Sequence, residues 1–225
     1  MIKKIFIIVI LLINSALAHQ EHYKNINKIE MQILHNGKNI GYSHYIFLHN
    51  EDELIVKNIT KFDVEFFNVK VFSIYSECTE TYFRNKLIKF VSKTTQNDKK
   101  KFVNLKYEKN LDQFNIVGSS YSGKADINNI IGNWWNHDIL NSKSQISPLS
   151  GSIKKQKVIF IKTDNININN ANYELIHYRL ISAEPNLSDD KKLDFDIWYD
   201  PKKFLIRKIT YKRMGKWDYI LTKVE

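Results

Sequence analysis

From Ile29 to Thr222 the chain alternates apolar and polar residues with a period of two, and one long segment interrupts the pattern. A strand turns successive side chains to opposite faces, so such alternation demands half-buried sheet and not amphipathic helix. The runs are short and polar turns separate them. Gly41–Leu48 follows Asn36-Gly37-Lys38-Asn39, and Asn-Gly is the strongest short-range hairpin signal. Leu54–Phe62, Val69–Phe83, Leu87–Thr95, Lys101–Tyr107 and Phe114–Val117 continue the series, with turns at Arg84-Asn85-Lys86 and Gln96-Asn97-Asp98. In the second half Lys157–Lys162, Tyr173–Ile181, Leu193–Tyr199, Phe204–Tyr211 and Trp217–Thr222 read as strands. Short strands at hairpin spacing predict an antiparallel meander. Strand–helix–strand alternation is missing, which excludes a parallel sheet with a Rossmann-type cofactor site.

The interruption is Asp126–Leu140. Its apolar positions 127, 130, 131, 134, 135 and 139 fall near helical spacing, and Asp126 stands where an N-cap would. The spacing predicts one or two short helices, weakened by Gly132, then a loop over 141–152 containing Pro148 and Gly151. Segment 126–152 lies between the two strand-rich halves and is expected to plug or cover a curved sheet. The predicted fold is all-β and mainly antiparallel. It is a single strongly curved meander sheet or half-open barrel over 29–225, with a short helical or loop segment as plug or lid.

Met1–Ala18 has Lys3-Lys4, an apolar run from Ile5 to Ile13 and an Ala16-Leu17-Ala18 end, the pattern of a secretory signal peptide. The apolar run falls short of the roughly 20 residues that span a bilayer. Cleavage after Ala18 would place the protein in the periplasm or outside the cell, with 19–28 as a flexible N-terminal stretch and no transmembrane segment. Cys78 is the single cysteine, so no internal disulfide is available. Within the strand Ile74–Glu80 it reads as a small buried hydrophobe.

The formal net charge is +10, yet only Arg84, Arg179, Arg207 and Arg213 among the 34 basic residues are arginine. Arginine dominates forked recognition of phosphates and base edges, so a lysine surplus argues against nucleic acid. A solvated basic surface, weakly attracted to anionic membranes, is the better reading.

Candidate chemistry is sparse. The seven histidines form no cluster at internal metal-ligand spacing. Signal cleavage would expose His19 as the N-terminus, where amine and imidazole chelate copper with help from His22. Otherwise no metal and no cofactor is expected. Asp194 and Asp196 share one strand face with Trp198 and Asp200, while Leu193, Phe195, Ile197 and Tyr199 share the other. Arg207 on the next strand suits a cross-strand ion pair with these acids better than acid–base catalysis. No nucleophile-elbow serine occurs, and the protein is not expected to be an enzyme. The aromatic set is the stronger lead. Trp134, Trp135, Asn136, His137 and Trp198 are the candidate ligand-binding residues, lining the mouth of an apolar cavity beneath the lid.

Asn36-Gly37-x-x-Ile40-Gly41, Trp134-Trp135-Asn136, Ser150-Gly151 and Asp196-x-Trp198-Tyr199-Asp200 occur in that order. The pattern resembles a family of exported bacterial proteins known only as a domain of unknown function, over roughly Ile29 to Leu221. The resemblance implies an antiparallel β domain of the envelope and no catalytic residues. Its architecture is similar to the half-open barrels of lipid or lipoprotein carriers, a likeness of fold alone. The expected function is non-catalytic binding of an apolar or amphiphilic envelope component such as a lipid. The alternatives are an envelope assembly protein that offers a sheet edge to a protein partner and, ranked below it, a loop-based enzyme or an N-terminal-histidine copper site.

Overall fold

The computed structural model describes residues 21–67, 69–189 and 191–225. The expected signal segment, its cleavage point and His19 lie outside them. The first half supplies β1 (Lys28–His35), β2 (Lys38–Asn50), β3 (Glu53–Phe66), β4 (Val69–Phe83) and β5 (Lys86–Gln96). It continues through β6 (Lys99–Glu108), β7 (Gln113–Gly118) and β8 (Ser122–Asp126). Two short strands, β9 (Ile130–Ile131) and β10 (Ser144–Ile146), belong to the interrupting segment. The second half is β11 (Ile153–Ile168), β12 (Ala171–Ser182), β13 (Asp194–Asp200), β14 (Leu205–Lys212) and β15 (Lys216–Val224).

Turn chemistry sets the hairpins. Asn36-Gly37, Arg84-Asn85 and Asn169-Asn170 all place both residues at positive φ, the geometry whose twist matches that of paired strands. Asparagine and glycine tolerate that backbone best. The strands form one sheet in the order β8-β7-β6-β5-β4-β3-β2-β1-β15-β14-β13-β12-β11-β10-β9. Every neighbouring pair is antiparallel except β9 with β10. The last strand returns beside the first, so the two halves share a seam running from Ile29 opposite Val224 to His35 opposite Trp217.

The sheet is not closed into a barrel, but it curls far round. Its terminal strands β8 and β9 are joined only by residues 127–129, a reach of at most about 14 Å for extended chain. Register shifts supply the bending. Extra residues enter at Ile40 in β2, Ile88 in β5, Ile161 in β11 and Arg207 in β14. Each such bulge bends its strand and increases the local twist.

The interrupting segment crosses the concave face, as a plug. The expected helices reduce to a 3-10 turn, His137–Leu140. The asparagines explain the difference, because their side chains bind nearby backbone and compete with helical bonding. Asp126 Oδ1 accepts from the Asn128 amide at 2.7 Å, Asn129 Nδ2 donates to the Asp126 carbonyl, and Asn136 Oδ1 caps the 3-10 turn through the Asp138 amide. Ile131, Trp135, Ile139 and Ile146 then fill the main core against Phe47, Val56 and Phe90. The expected flexible stretch 19–28 is described only from Glu21 onward. Glu21–Tyr23 is a 3-10 turn, and the Tyr23 side chain is fully buried in this core.

A second, smaller cluster of Ile33, Phe62, Val64, Ile74 and Trp217 lies toward the end of the sheet that carries the β1–β2 and β3–β4 turns. Between the clusters the register sets Ser43, Thr60, Ser76 and Thr94 side by side across β2 to β5. Ser43 bonds Thr60 at 2.8 Å and Ser76 bonds Thr94 at 2.7 Å, so this inward hydroxyl row satisfies itself.

The two glycines of the Asn36–Gly41 motif have different duties, and substitution separates them. A Cβ on Gly41 would stand 2.0 Å from the Lys61 carbonyl, backbone that cannot yield without parting β2 from β3. Gly37 faces open space but holds φ at 82°. Gly41→Ala is expected to cost about 3 kcal/mol, and Gly37→Ala about 1 kcal/mol, in urea unfolding.

Candidate functional site

The plug is fastened by one buried acid. Glu80 faces inward on β4, in step with Ser76, Cys78 and Tyr82, and is only 2% exposed. Its Oε2 accepts from the Tyr82 hydroxyl at 2.5 Å. Its Oε1 accepts from Asn133 Nδ2 at 2.5 Å and from the Trp135 indole N–H at 2.9 Å. Burial raises the Glu80 pKa to about 7, against the pull of these three donors. A second fastening comes from Tyr23. Its hydroxyl lies 2.8 Å from the Trp135 carbonyl and 2.7 Å from His137 Nδ1, and it accepts from the His137 amide at 3.2 Å.

Trp135 is therefore core: it is 1% exposed and edge-on to Tyr23, Phe47 and Tyr82. Asn136 and His137 are buried with it, and the His137 ring stacks near Tyr199. Trp134, its sequence neighbour, points the other way. It is half-buried and packs edge-on to Phe195 at 5.1 Å. From there a row of aromatics follows the concave face from β13 through β14 to β15 and then reaches across to β3. Phe195 meets Tyr211 at 5.3 Å, Tyr211 stacks on Trp217 at 5.6 Å, and Trp217 meets Phe62 at 5.3 Å. Phe195, Tyr211, Tyr219 and Phe72 in this row are only half-buried. The Tyr211 hydroxyl is bonded to that of Tyr219, and burial pushes the Tyr211 pKa up to about 12. The concave face thus has one half filled by the plug and, beyond Trp134, a second half lined by partly buried aromatics around the smaller core cluster.

Trp198 does not join this set. Alternation along β13 puts Phe195 and Ile197 inward, so Trp198 stands on the outer face. There it stacks on His177 at 4.5 Å, and its indole N–H donates to Asp164 at 3.2 Å. His177 also bonds Asp196 at 2.8 Å, a carboxylate–histidine contact between the neighbouring strands β12 and β13 that leaves no trace in sequence spacing. The expected Arg207 pairing is corrected as well. The bulge in β14 turns Arg207 to Asp200, with Nη2–Oδ2 at 2.9 Å, and over the Tyr173 ring. Asp194 is held instead by Arg179 through two bonds of 2.9 and 3.0 Å.

His22 stacks on Phe204 at 3.5 Å. No group of three metal-ligating side chains occurs among the described residues. Cys78 is buried in β4, where desolvation pushes its thiol up to about 12, far from a reactive thiolate. Two open surface clefts, of about 560 Å³ beside Tyr173 and about 340 Å³ around Met214, lie away from the tryptophans of the plug. No helix among the described residues is long and apolar enough to cross a membrane.

Fold and site together define a curved antiparallel sheet, not closed into a barrel, with a plug on its concave face and a row of aromatics beyond it. Residues 31–222 match the model of the family described as Domain of unknown function (DUF6134), and the chain belongs to that family. The fold is similar to that of a solved beta-barrel-like protein of Domain of Unknown Function DUF1849 from Brucella abortus. The two share 8% identity with a TM-score of 0.58, over 88% of this chain and 95% of that one. A search of curated proteins finds no match.

The Glu80 fastening has a pH signature. Below about pH 4.5 its carboxyl is neutral in folded and unfolded chains alike, and this contribution to stability is complete. Between about 4.5 and about 7 the folded protein keeps a proton that the unfolded chain releases, so stability falls as pH rises, then levels off. The loss amounts to about 3 kcal/mol at about 1.4 kcal/mol per unit. Glu80→Gln should flatten this part of the profile, read as the difference between variant and wild type in urea unfolding from about pH 5 to about pH 8.

Proposed function

We propose that this protein binds, without catalysing a reaction, a lipid or other acyl-chain amphiphile in the aromatic half of its concave face, in the cell envelope after export. The carrying observation is the row Trp134, Phe195, Tyr211, Trp217 and Phe72. These are large apolar side chains on the inner face of a curved sheet; Trp217 is buried and the other four keep part of their surface accessible. Apolar side chains of this size are normally covered, and an acyl chain would remove that area from water. The Lys3-Lys4, Ile5–Ile13 and Ala16-Leu17-Ala18 pattern supports export.

Trp134 and Trp198 provide an internal test, since they occupy opposite faces. In variants that keep only one tryptophan, a fatty acid brominated along its chain should quench Trp134 and leave Trp198 unchanged. Phe195→Ser should weaken that quenching by roughly tenfold, as expected when a large apolar contact is removed. Equal quenching of both tryptophans, or of neither, would count against the reading.

A sheet-edge reading retains one specific observation. β11 pairs with β10 only through Ile153–Lys155, so from Lys157 onward its outer edge has no strand partner among the described residues. Ile159, Phe160 and Ile161 are exposed along it, interrupted by the bulge at Ile161. Such an edge suits strand addition by a protein segment, although the bulge and flanking lysines are the usual guards against it.

A further inference from the structure

We infer that the β3–β4 hairpin tip, together with the β14–β15 turn, docks the protein onto an anionic lipid bilayer. Phe62, Ile74 and Gln96 are aligned across β3, β4 and β5, and β5 ends at Gln96. The β3–β4 hairpin runs on to Phe66, four residues or about 13 Å past its β5 neighbour at about 3.3 Å per residue. That overhang carries apolar side chains. Phe66 is 65% exposed and Phe67 87%, and Val69 and Val71 are more than half exposed. The two phenylalanine rings touch edge-on at 4.4 Å and form one apolar knob. Single exposed apolar residues are ordinary on protein surfaces, but a contiguous set at a projecting tip is not.

Folding does not explain Phe67. Its φ is 48°, the left-handed backbone that bulky residues avoid. Elsewhere the two-residue turns carry Asn36-Gly37, Arg84-Asn85 or Asn169-Asn170, and the other phenylalanine at positive φ, Phe204 at 56°, stacks on His22. A phenylalanine there sacrifices local fit and covers nothing in the protein.

The setting is basic. The β1–β2 and β14–β15 turns lie at the same end of the sheet and are tied together by the Lys216 amide donating to Asn36 Oδ1 at 2.8 Å. Met214, 92% exposed, tops the second turn, above a cleft of about 340 Å³ lined with Lys212, Arg213 and Lys216. Lys38, Lys70 and Lys99 flank the other turns of this end. The acids nearby are Asp63, Glu65, Asp98 and Asp218. Asp63 is paired with Lys70 at 3.0 Å, and Asp218 draws Lys216 at 3.4 Å. Apolar wedges ringed by lysine and arginine match an anionic bilayer, whose surface attracts the cations while its acyl boundary takes the phenylalanines. Lysine and arginine also hold their charge there while their stems lie along the apolar surface. The docking surface shares its end of the sheet with the aromatic row but does not depend on any lipid entering it.

Vesicle sedimentation tests the inference, using the chain processed after Ala18 so that Ile5–Ile13 makes no contribution. With vesicles of phosphatidylcholine containing about one third phosphatidylglycerol, the protein should co-sediment, and raising salt from about 0.05 to about 0.5 M should weaken binding. Phosphatidylcholine alone should bind it at least roughly tenfold less well. Phe66→Ser with Phe67→Ser, or Met214→Ser with Arg213→Gln, should each reduce partition by roughly tenfold or more with the circular dichroism spectrum unchanged. These positions are exposed, so neither pair removes core. Unchanged partition of both variants would overturn the inference. So would a wild-type dimer that the phenylalanine variant abolishes, without vesicle binding, because the knob would then serve a second copy of the chain. Loss of vesicle binding with intact quenching of Trp134 by brominated fatty acid would sink the docking surface and spare the binding site. The reverse pattern would do the opposite.

Discussion

Glu80 supports three donors at once, and the architecture hangs on that bond set. A sheet that curls this far leaves a concave face that its own side chains do not fill. The segment from Ile127 to Ser152 fills half of it with almost no regular structure of its own. Backbone without helix or ladder partners must find side chains or water, and buried donors must be satisfied. Glu80 from β4 and Tyr23 from the N-terminal turn meet that need, reaching Asn133, Trp135 and His137 from strands remote in sequence. The plug has no independent reason to fold, because its partners converge only once the sheet has curled.

The same arrangement divides the concave face. On one side of the hydroxyl row the plug seals the main core with Trp135. On the other, Trp134 opens a line of aromatics, most of them only partly covered. Two adjacent tryptophans on a non-helical segment thus point to different surroundings, Trp135 into the main core and Trp134 to Phe195 at the start of the aromatic row. The apolar hairpin tip and the basic turns stand at the end of the sheet that holds this row, which gives the molecule a direction, with a sealed interior behind and an aromatic, cationic front.

Much of this was legible in the sequence. Strict alternation marked the strands and the inward face of β13, and Asn-rich turns marked the hairpins. The interruption at 126–152 identified itself as the plug by breaking the pattern. Its local form was misread because apolar spacing near helical period outweighed the asparagines, which bind nearby backbone instead. Trp198 was grouped with the plug tryptophans although its own strand's alternation placed it outward. Arg207 was sent to the wrong acid because a single bulge residue reverses side-chain direction, and bulges leave no local signal. Glu80 was missed altogether, yet a signal existed. An acid in phase with Ser76, Cys78 and Tyr82 must point inward, where it needs partners that only the tertiary fold supplies.

The proposed ligand binding rests on the aromatic row being a binding surface and not ordinary core. Native mass spectrometry of the protein, purified without detergent from the cells that make it, addresses that point most directly. The account predicts a mass above that of the polypeptide, with a lipid-sized species released on collisional activation and its yield reduced in Phe195→Ser. A bare polypeptide mass that stays bare after incubation with lipid vesicles would contradict it.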